Sequence, residues 1–90
     1  MYKLTRIEDN LEKVYPTVKF VSFDELGRGR ELKDIPEVDT SCILGPFGPA
    51  FTWQTTSIKS ITLLEFKEDG LVSNMRFTTL NSKYKLEWVE

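Results

Sequence analysis

Hydrophobic and polar residues alternate most clearly in the last forty residues of the chain. The stretch from Ile58 to Phe66 is rich in β-branched and apolar residues, which is typical of a strand. Glu68-Asp69-Gly70 follows as a hairpin signal, and Leu80-Asn81-Ser82 marks a second turn. The two strands that follow the first turn alternate between apolar and polar residues, so the sequence predicts a three-stranded antiparallel meander.

The alternation also predicts which side chains of the meander face the interior. The expected inward set is Met75, Phe77, Tyr84, Leu86 and Trp88. A shift of the register by one residue would bury Arg76, Lys83, Lys85 and Glu87 in their place. Because burying four charged side chains is costly, the first register is the one we expect.

The N-terminal segment has a different spacing. Apolar residues recur at intervals of three and four, at Leu4, Ile7, Leu11 and Val14. Thr5 and Glu8 have the spacing of a capping box, and a proline after Tyr15 should end a helix. We therefore predict a helix over residues 6–14. The competing interpretation, a strand over residues 1–7, has only weak alternation in its favour.

The middle of the chain combines one strand with turns. Alternation predicts a strand at 17–22, and Ser22, Glu25 and Gly27 fit a single helical turn. Residues 27–40 are charged and contain glycine and proline, which favours a surface loop. Glycines and prolines at 45–49 predict a rigid, turn-rich connection around Phe47.

These elements predict a single α+β domain over residues 1–90, dominated by an antiparallel sheet. The short N-terminal helix, or the strand at 17–22, would cover the apolar face of the C-terminal meander. In the alternative that we also consider, the sheet curls into a small open barrel.

Composition agrees with one globular, soluble domain. The 90 residues are 40% hydrophobic and 29% charged, with a formal net charge of −2. The lone Cys42 lies beside Ile43 and Leu44, which favours a buried, inert thiol over a reactive one. The first ten residues lack the apolar run of a signal peptide, and nowhere do eighteen apolar residues occur together. We expect a cytoplasmic protein that does not associate with membranes.

Candidate catalytic chemistry is sparse. The chain has no histidine, which removes the commonest general base and the Ser-His and Cys-His nucleophile pairs. It also lacks a phosphate-binding glycine loop and the thiols for zinc, so we expect no cofactor and no metal.

Acidic residues cluster in two places: Glu65, Glu68 and Asp69, and Glu31, Asp34, Glu37 and Asp39. Solvated turn charges explain both clusters better than a carboxylate hydrolase does. The sequence favours a protein that is not an enzyme, with a histidine-free hydrolase as the minor alternative.

Aromatic residues supply the first candidate binding surface. Phe47, Phe51 and Trp53 lie within seven residues beside Gly-Pro turns, where rigid aromatic anchors can bind a protein partner. The simpler interpretation is that these rings fold back and cap an open end of the sheet. Self-association through an edge strand is a further possibility.

Basic residues supply the alternative surface. A small β-barrel that binds nucleic acid would use Arg28, Arg30, Arg76, Lys83 and Lys85. The net negative charge and the acids that flank Arg28 and Arg30 weaken this interpretation, because they reduce any positive field. We therefore expect a noncatalytic binding module with a protein partner.

One stretch has a familiar pattern. Thr56-Ser57-x-x-x-Ile61, followed by the run from Thr79 to Glu87 (TLNSKYKLE), resembles the ending of short bacterial proteins of unassigned function. Many of these are phage or mobile-element accessory proteins. The similarity covers the C-terminal third to half of the chain and implies no catalytic residues. Asn81 and Ser82 also suit a tight turn, so architecture alone explains the motif.

Overall fold

The chain folds into two antiparallel β-sheets. The computed structural model describes residues 1–45 and 53–90. In this part of the chain the strands are β1 (Tyr2–Arg6), β2 (Leu11–Tyr15), β3 (Thr17–Phe23), β4 (Gly29–Lys33), β5 (Ser41–Gly45), β6 (Trp53–Ser57), β7 (Ser60–Phe66), β8 (Val72–Thr78) and β9 (Lys83–Trp88). The first sheet has the order β2-β1-β9-β8-β7, and the second has the order β4-β3-β5-β6.

The predicted α+β class is wrong, because residues 6–14 form a hairpin and not a helix. Arg6 pairs with Leu11 across the turn, and Leu4 pairs with both Lys13 of β2 and Leu86 of β9. A helix would have buried Ile7 and Val14 on the same face as Leu4. Each of these two side chains is instead 48% exposed. The weaker alternative, a strand at the N-terminus, is the correct one.

Local chemistry explains the turn between β1 and β2. The Arg6 guanidinium donates two hydrogen bonds to the Asp9 carboxylate, at 3.0 and 2.6 Å. Asp9 also accepts the Leu11 backbone N–H at 3.2 Å, and Asn10 adopts a φ of 57°. Aspartate and asparagine favour such turns, since their side chains bond nearby backbone and asparagine tolerates positive φ. Thr5 lies in β1, so the capping-box interpretation of Thr5 and Glu8 is also wrong.

Two other local predictions need correction. Residues 24–27 form a β-turn between β3 and β4 and not a helical turn; Gly27 donates its N–H to the Asp24 carbonyl oxygen at 3.0 Å and has a φ of 77°. The expected loop over 27–40 contains the strand β4, which pairs with β3. Glycine at the start of β4 and charged residues along it conceal this strand, because an edge strand needs no apolar alternation.

The C-terminal meander and most of its register are confirmed. β7, β8 and β9 are neighbours in the first sheet, and both predicted turns connect them. Four of the five expected inward side chains are buried: Met75, Phe77, Tyr84 and Leu86. Trp88 is the exception, with 36% of its surface exposed at the end of β9. The strand predicted at 17–22 is also confirmed, as β3.

The two sheets face each other across one shared core. Both contribute its buried side chains, which include Leu4, Phe20, Leu44, Met75, Phe77 and Leu86. The chain passes from the first sheet to the second at Pro16 and returns at Ile58 and Lys59. Such bends allow a single chain to close two sheets over one interior. β1 and β9 pair, so the two ends of the chain lie side by side.

One connection crosses the outside of the second sheet. β4 and β5 lie on opposite sides of β3, so residues 34–40 must pass over β3. The Val21 side chain alternates with the inward Phe20, yet only 7% of its surface is exposed. The crossing segment therefore covers this outer position. It begins at Asp34, which forms an ion pair with Lys19 of β3.

Candidate functional site

The structure describes one of the three predicted aromatic anchors, Trp53. Phe47 and Phe51 lie outside the described residues. Trp53 opens β6, where it pairs with Leu44. Its ring packs edge-to-face on Tyr84, with the ring centres 6.1 Å apart, and it contacts the shared core. Trp53 thus has the packing that the simpler interpretation expects of a ring that folds back.

The five predicted nucleic-acid residues lie in two separate regions. Arg28 is in the β3–β4 turn, and its guanidinium lies 3.1 Å from the Asp24 carboxylate. The backbone of Arg30 lies in β4, and its side chain is outside the described part. The other three residues share the outer face of the first sheet: Arg76, Lys83 and Lys85. The structure therefore brings together three of the five cations.

Several acidic residues of the two predicted clusters form separate ion pairs with lysines. Asp34 pairs with Lys19, Glu37 lies 3.4 Å from Lys33, and Asp69 lies 3.3 Å from Lys67. A backbone hydrogen bond from Leu71 lowers the pKa of Asp69, which keeps this carboxylate ionised. Within residues 1–45 and 53–90, no three or more acidic, cysteine or histidine side chains are placed to hold a metal ion.

The single thiol is inaccessible, as predicted. Cys42 is fully buried in β5, and its burial raises the pKa of the thiol well above the ordinary value. A buried, protonated thiol is a poor nucleophile and a poor metal ligand, because both roles require the thiolate.

A concave site lies where one end of the first sheet meets β3. This cleft, which we call the Tyr2–Trp88 cleft, has a volume of about 210 Å³. Its lining residues are Tyr2, Pro16, Thr17, Val18, Lys19, Asp34, Lys67, Leu71, Val72 and Trp88. They come from five separate stretches of the chain, which only the folded structure brings together.

An aromatic pair forms one wall of the cleft. Tyr2 and Trp88 pair across β1 and β9, and their rings meet edge-to-face with centres 5.0 Å apart. The Lys67 ammonium lies 3.8 Å from the centre of the Trp88 ring and 5.8 Å from that of Tyr2. Contacts of this kind attract a cation to the ring face and hold both partners in place.

Paired charges surround the apolar interior of the cleft. Lys19 is neutralised by Asp34, and Lys67 by Asp69. The Tyr2 hydroxyl is directed away from solvent, since it donates a 2.8 Å hydrogen bond to the Val72 carbonyl oxygen. The cleft thus offers an apolar, aromatic surface with no strong net charge, which suits an apolar group better than an ionised one.

Sequence reasoning missed this cleft. It assigned Trp88 to the core and gave no role to Tyr2 or Lys67. One signal was available, since Trp88 stands at the last position of its strand, where the sheet ends and a large ring can remain half-exposed. The pairing of Trp88 with Tyr2 carries no local signal, because the two residues are 86 positions apart.

Comparison with known proteins does not identify a function for this site. The chain matches no protein family, no curated protein and no solved structure. The likeness of its C-terminal segment to short bacterial proteins stays a prediction. In the described residues, no helix is long and apolar enough to cross a membrane.

Proposed function

We propose that this protein is a noncatalytic binding module that holds a segment of a protein partner. The Tyr2–Trp88 cleft receives one large apolar side chain of that segment. The observation that carries the proposal is a half-exposed tryptophan in the wall of an apolar cleft, at a position where it contributes less to the core than its size allows. Tryptophan is among the residues most enriched at the energetic centres of protein interfaces.

The size of the cleft supports a side chain as its occupant. A cavity of about 150 Å³ holds a benzene molecule. Pockets for drug-sized molecules occupy about 300–1,000 Å³. At about 210 Å³, the Tyr2–Trp88 cleft fits one aromatic ring or one large aliphatic group. It is small for a complete substrate together with the groups that would act on it.

The groups around the cleft support binding without chemistry. Asp34 is the one carboxylate among the described residues of the lining, and Lys19 neutralises it. Glycoside hydrolysis, the usual carboxylate chemistry without histidine, needs two carboxyl groups held in different protonation states on either side of one bond. The arrangement of paired charges at the rim is instead typical of an interface, where it fixes orientation and adds little affinity.

Two exposed apolar residues adjoin lining residues of the cleft in the sequence. Ile35 follows Asp34 and is 45% exposed, and Phe66 precedes Lys67 and is 46% exposed. We place this binding in the cytoplasm, the compartment expected for a sequence without a disulfide framework.

Selection from a random peptide library displayed on phage tests the proposal. Enriched peptides should share one large apolar residue and should bind the purified protein reversibly. Trp88→Ala should weaken their binding by at least about tenfold, because truncating an aromatic at an interface centre commonly costs over 1 kcal/mol. Thr17→Trp should also weaken binding, since it fills the cleft while leaving Trp88 in place.

Leu80→Ala is the matched control. Leu80 is 78% exposed in the β8–β9 turn, so this change removes an apolar surface residue outside the cleft. It should leave peptide affinity unchanged. Peptides that bind Trp88→Ala and Thr17→Trp as tightly as the wild type would disprove the assignment of this cleft.

A further inference from the structure

We propose that the outer face of the first sheet carries a second site, which binds a phosphate group between Arg76 and Lys83. This site is separate from the Tyr2–Trp88 cleft, and its existence does not depend on peptide binding there. It is a groove of about 380 Å³ whose lining includes Ile7, Thr62, Arg76, Thr78 and Lys83.

Strand pairing places the two cations together. Arg76 pairs with Lys85, and Thr78 pairs with Lys83, so Arg76 and Lys83 are diagonal neighbours on one face. Such neighbours are separated by roughly 7–8 Å, which is within reach of both long side chains. Both residues are exposed.

These cations lack the partners that neutralise the rest of the face. Lys3 lies within ion-pair distance of Glu12 and Glu87, and Lys85 lies 3.5 Å from Glu87. Among the described residues, no carboxylate forms an ion pair with Arg76 or Lys83. The Glu8 carboxylate approaches Lys83 but accepts its backbone N–H, at 2.8 Å. Two unneutralised like charges side by side repel each other, and an anion between them removes that repulsion.

Hydroxyl groups add donors to the same groove. The Thr78 and Ser60 hydroxyl oxygens are 2.6 Å apart, and either can be the donor. When Ser60 donates, the Thr78 hydroxyl proton is free to bond an oxyanion in the groove. A guanidinium fork, an ammonium and a hydroxyl together match the several acceptor oxygens of a phosphate group.

The groove has room for more than the phosphate. Its volume lies in the range of small-molecule sites. Ile7 is fixed at the rim by a 2.8 Å hydrogen bond from its N–H to the Lys83 carbonyl oxygen, and its side chain is 48% exposed. An apolar or cyclic group attached to the phosphate can pack on it. The ligand class is therefore a phosphate ester, either a free nucleotide or the backbone of single-stranded nucleic acid.

Titration of the ¹⁵N-labelled protein, followed by NMR, tests the site with uridine 5′-monophosphate, uridine and a single-stranded oligothymidylate. The phosphate-bearing probes should shift the amide signals of Thr78 and Lys83 saturably, and uridine should not. Arg76→Gln and Lys83→Gln should each weaken binding by about tenfold, because each removes a charge-assisted hydrogen bond. Lys85→Gln is the control on the same face, and its effect should stay below about threefold at physiological salt.

The pH dependence distinguishes the two sources of phosphate. The second ionisation of a phosphate monoester has a pKa of about 6, so binding of the mononucleotide should weaken between about pH 7.5 and pH 5. Preferred binding of the mononucleotide with this pH dependence supports a free phosphate ester. Tighter, pH-independent binding of the oligonucleotide supports a nucleic-acid backbone. The proposal is overturned if neither probe saturates, or if Lys85→Gln weakens binding as much as the two groove variants.

Discussion

The Tyr2 hydroxyl donates a hydrogen bond of 2.8 Å to the carbonyl oxygen of Val72, seventy residues away in the chain. Tyr2 lies in β1 and Val72 in β8, with β9 between them in the sheet. Burial and the nearby Asp69 and Asp34 raise the pKa of the tyrosine, so the phenol remains a protonated donor at neutral pH. This bond connects the N-terminal hairpin to the meander and fixes one wall of the Tyr2–Trp88 cleft.

Removal of this hydroxyl should destabilise the protein measurably. We expect Tyr2→Phe to lower the free energy of unfolding by about 1 kcal/mol, because the ring remains buried while one buried hydrogen bond is lost. Urea denaturation followed by tryptophan fluorescence measures the change. Tyr15→Phe is the control, since the Tyr15 hydroxyl has no hydrogen-bond partner among the described residues, and it should alter stability by less than about 0.5 kcal/mol. Equal effects of the two substitutions would show that the bond to Val72 contributes nothing.

Two leucines of the meander test its register. Leu86 is fully buried, and Leu80 is 78% exposed only six positions earlier. Leu86→Ala should cost about 2–5 kcal/mol of stability, because it leaves a cavity in the core. Leu80→Ala should change stability by less than about 0.5 kcal/mol. The midpoints of chemical denaturation provide the comparison. A large loss from Leu80→Ala together with a small one from Leu86→Ala would require a different register.

The Arg6–Asp9 pair in the first hairpin predicts a dependence on pH. Hydrogen bonds from Arg6, and then from the Leu11 backbone, lower the pKa of Asp9 from 3.8 to about 2. A carboxylate whose pKa is lower in the folded state contributes stability above its unfolded pKa and loses it as the pH falls. The melting temperature of the wild type should therefore exceed that of Asp9→Asn above pH 3.8, and the difference should disappear as the pH falls through about 2.

Carboxyl NMR titration measures the same pKa directly. In the wild type, Asp9 should titrate near pH 2, and Arg6→Gln should move its pKa back toward 3.8. An Asp9 pKa near 3.8 in the wild type would mean that the guanidinium does not hold the carboxylate in solution.

The reactivity of the buried Cys42 thiol should measure how often the protein unfolds. Cys42 should react with a thiol reagent such as DTNB only when the protein opens, because burial keeps the thiol protonated and out of reach. The labelling rate should increase with urea in parallel with the unfolded fraction, and denatured protein supplies the reference rate. Rapid labelling under native conditions would show that β5 opens locally without global unfolding.

The sequence alone determined the C-terminal half of the fold. β7 is rich in apolar and β-branched residues, β9 alternates cleanly, and tight-turn residues separate the three strands, as at Asp69-Gly70 and Asn81-Ser82. A shift of this register would bury several charges, so local pattern and burial select the same pairing. The burial of Cys42 and the strand β3 were also predicted from neighbouring residues in the sequence.

Only the tertiary structure decided the N-terminal half and the candidate sites. The spacing of Leu4, Ile7, Leu11 and Val14 fits a helix, yet β1 becomes a strand because it pairs with β9 at the other end of the chain. The Tyr2–Trp88 cleft depends on the same pairing, and the phosphate groove depends on Arg76 and Lys83 lying on adjacent strands. The spacing of apolar residues in the sequence gives information only about contacts between residues that are close together in the chain. These sites are made by contacts between residues far apart in the chain, whose free energy exists only once both sheets have formed.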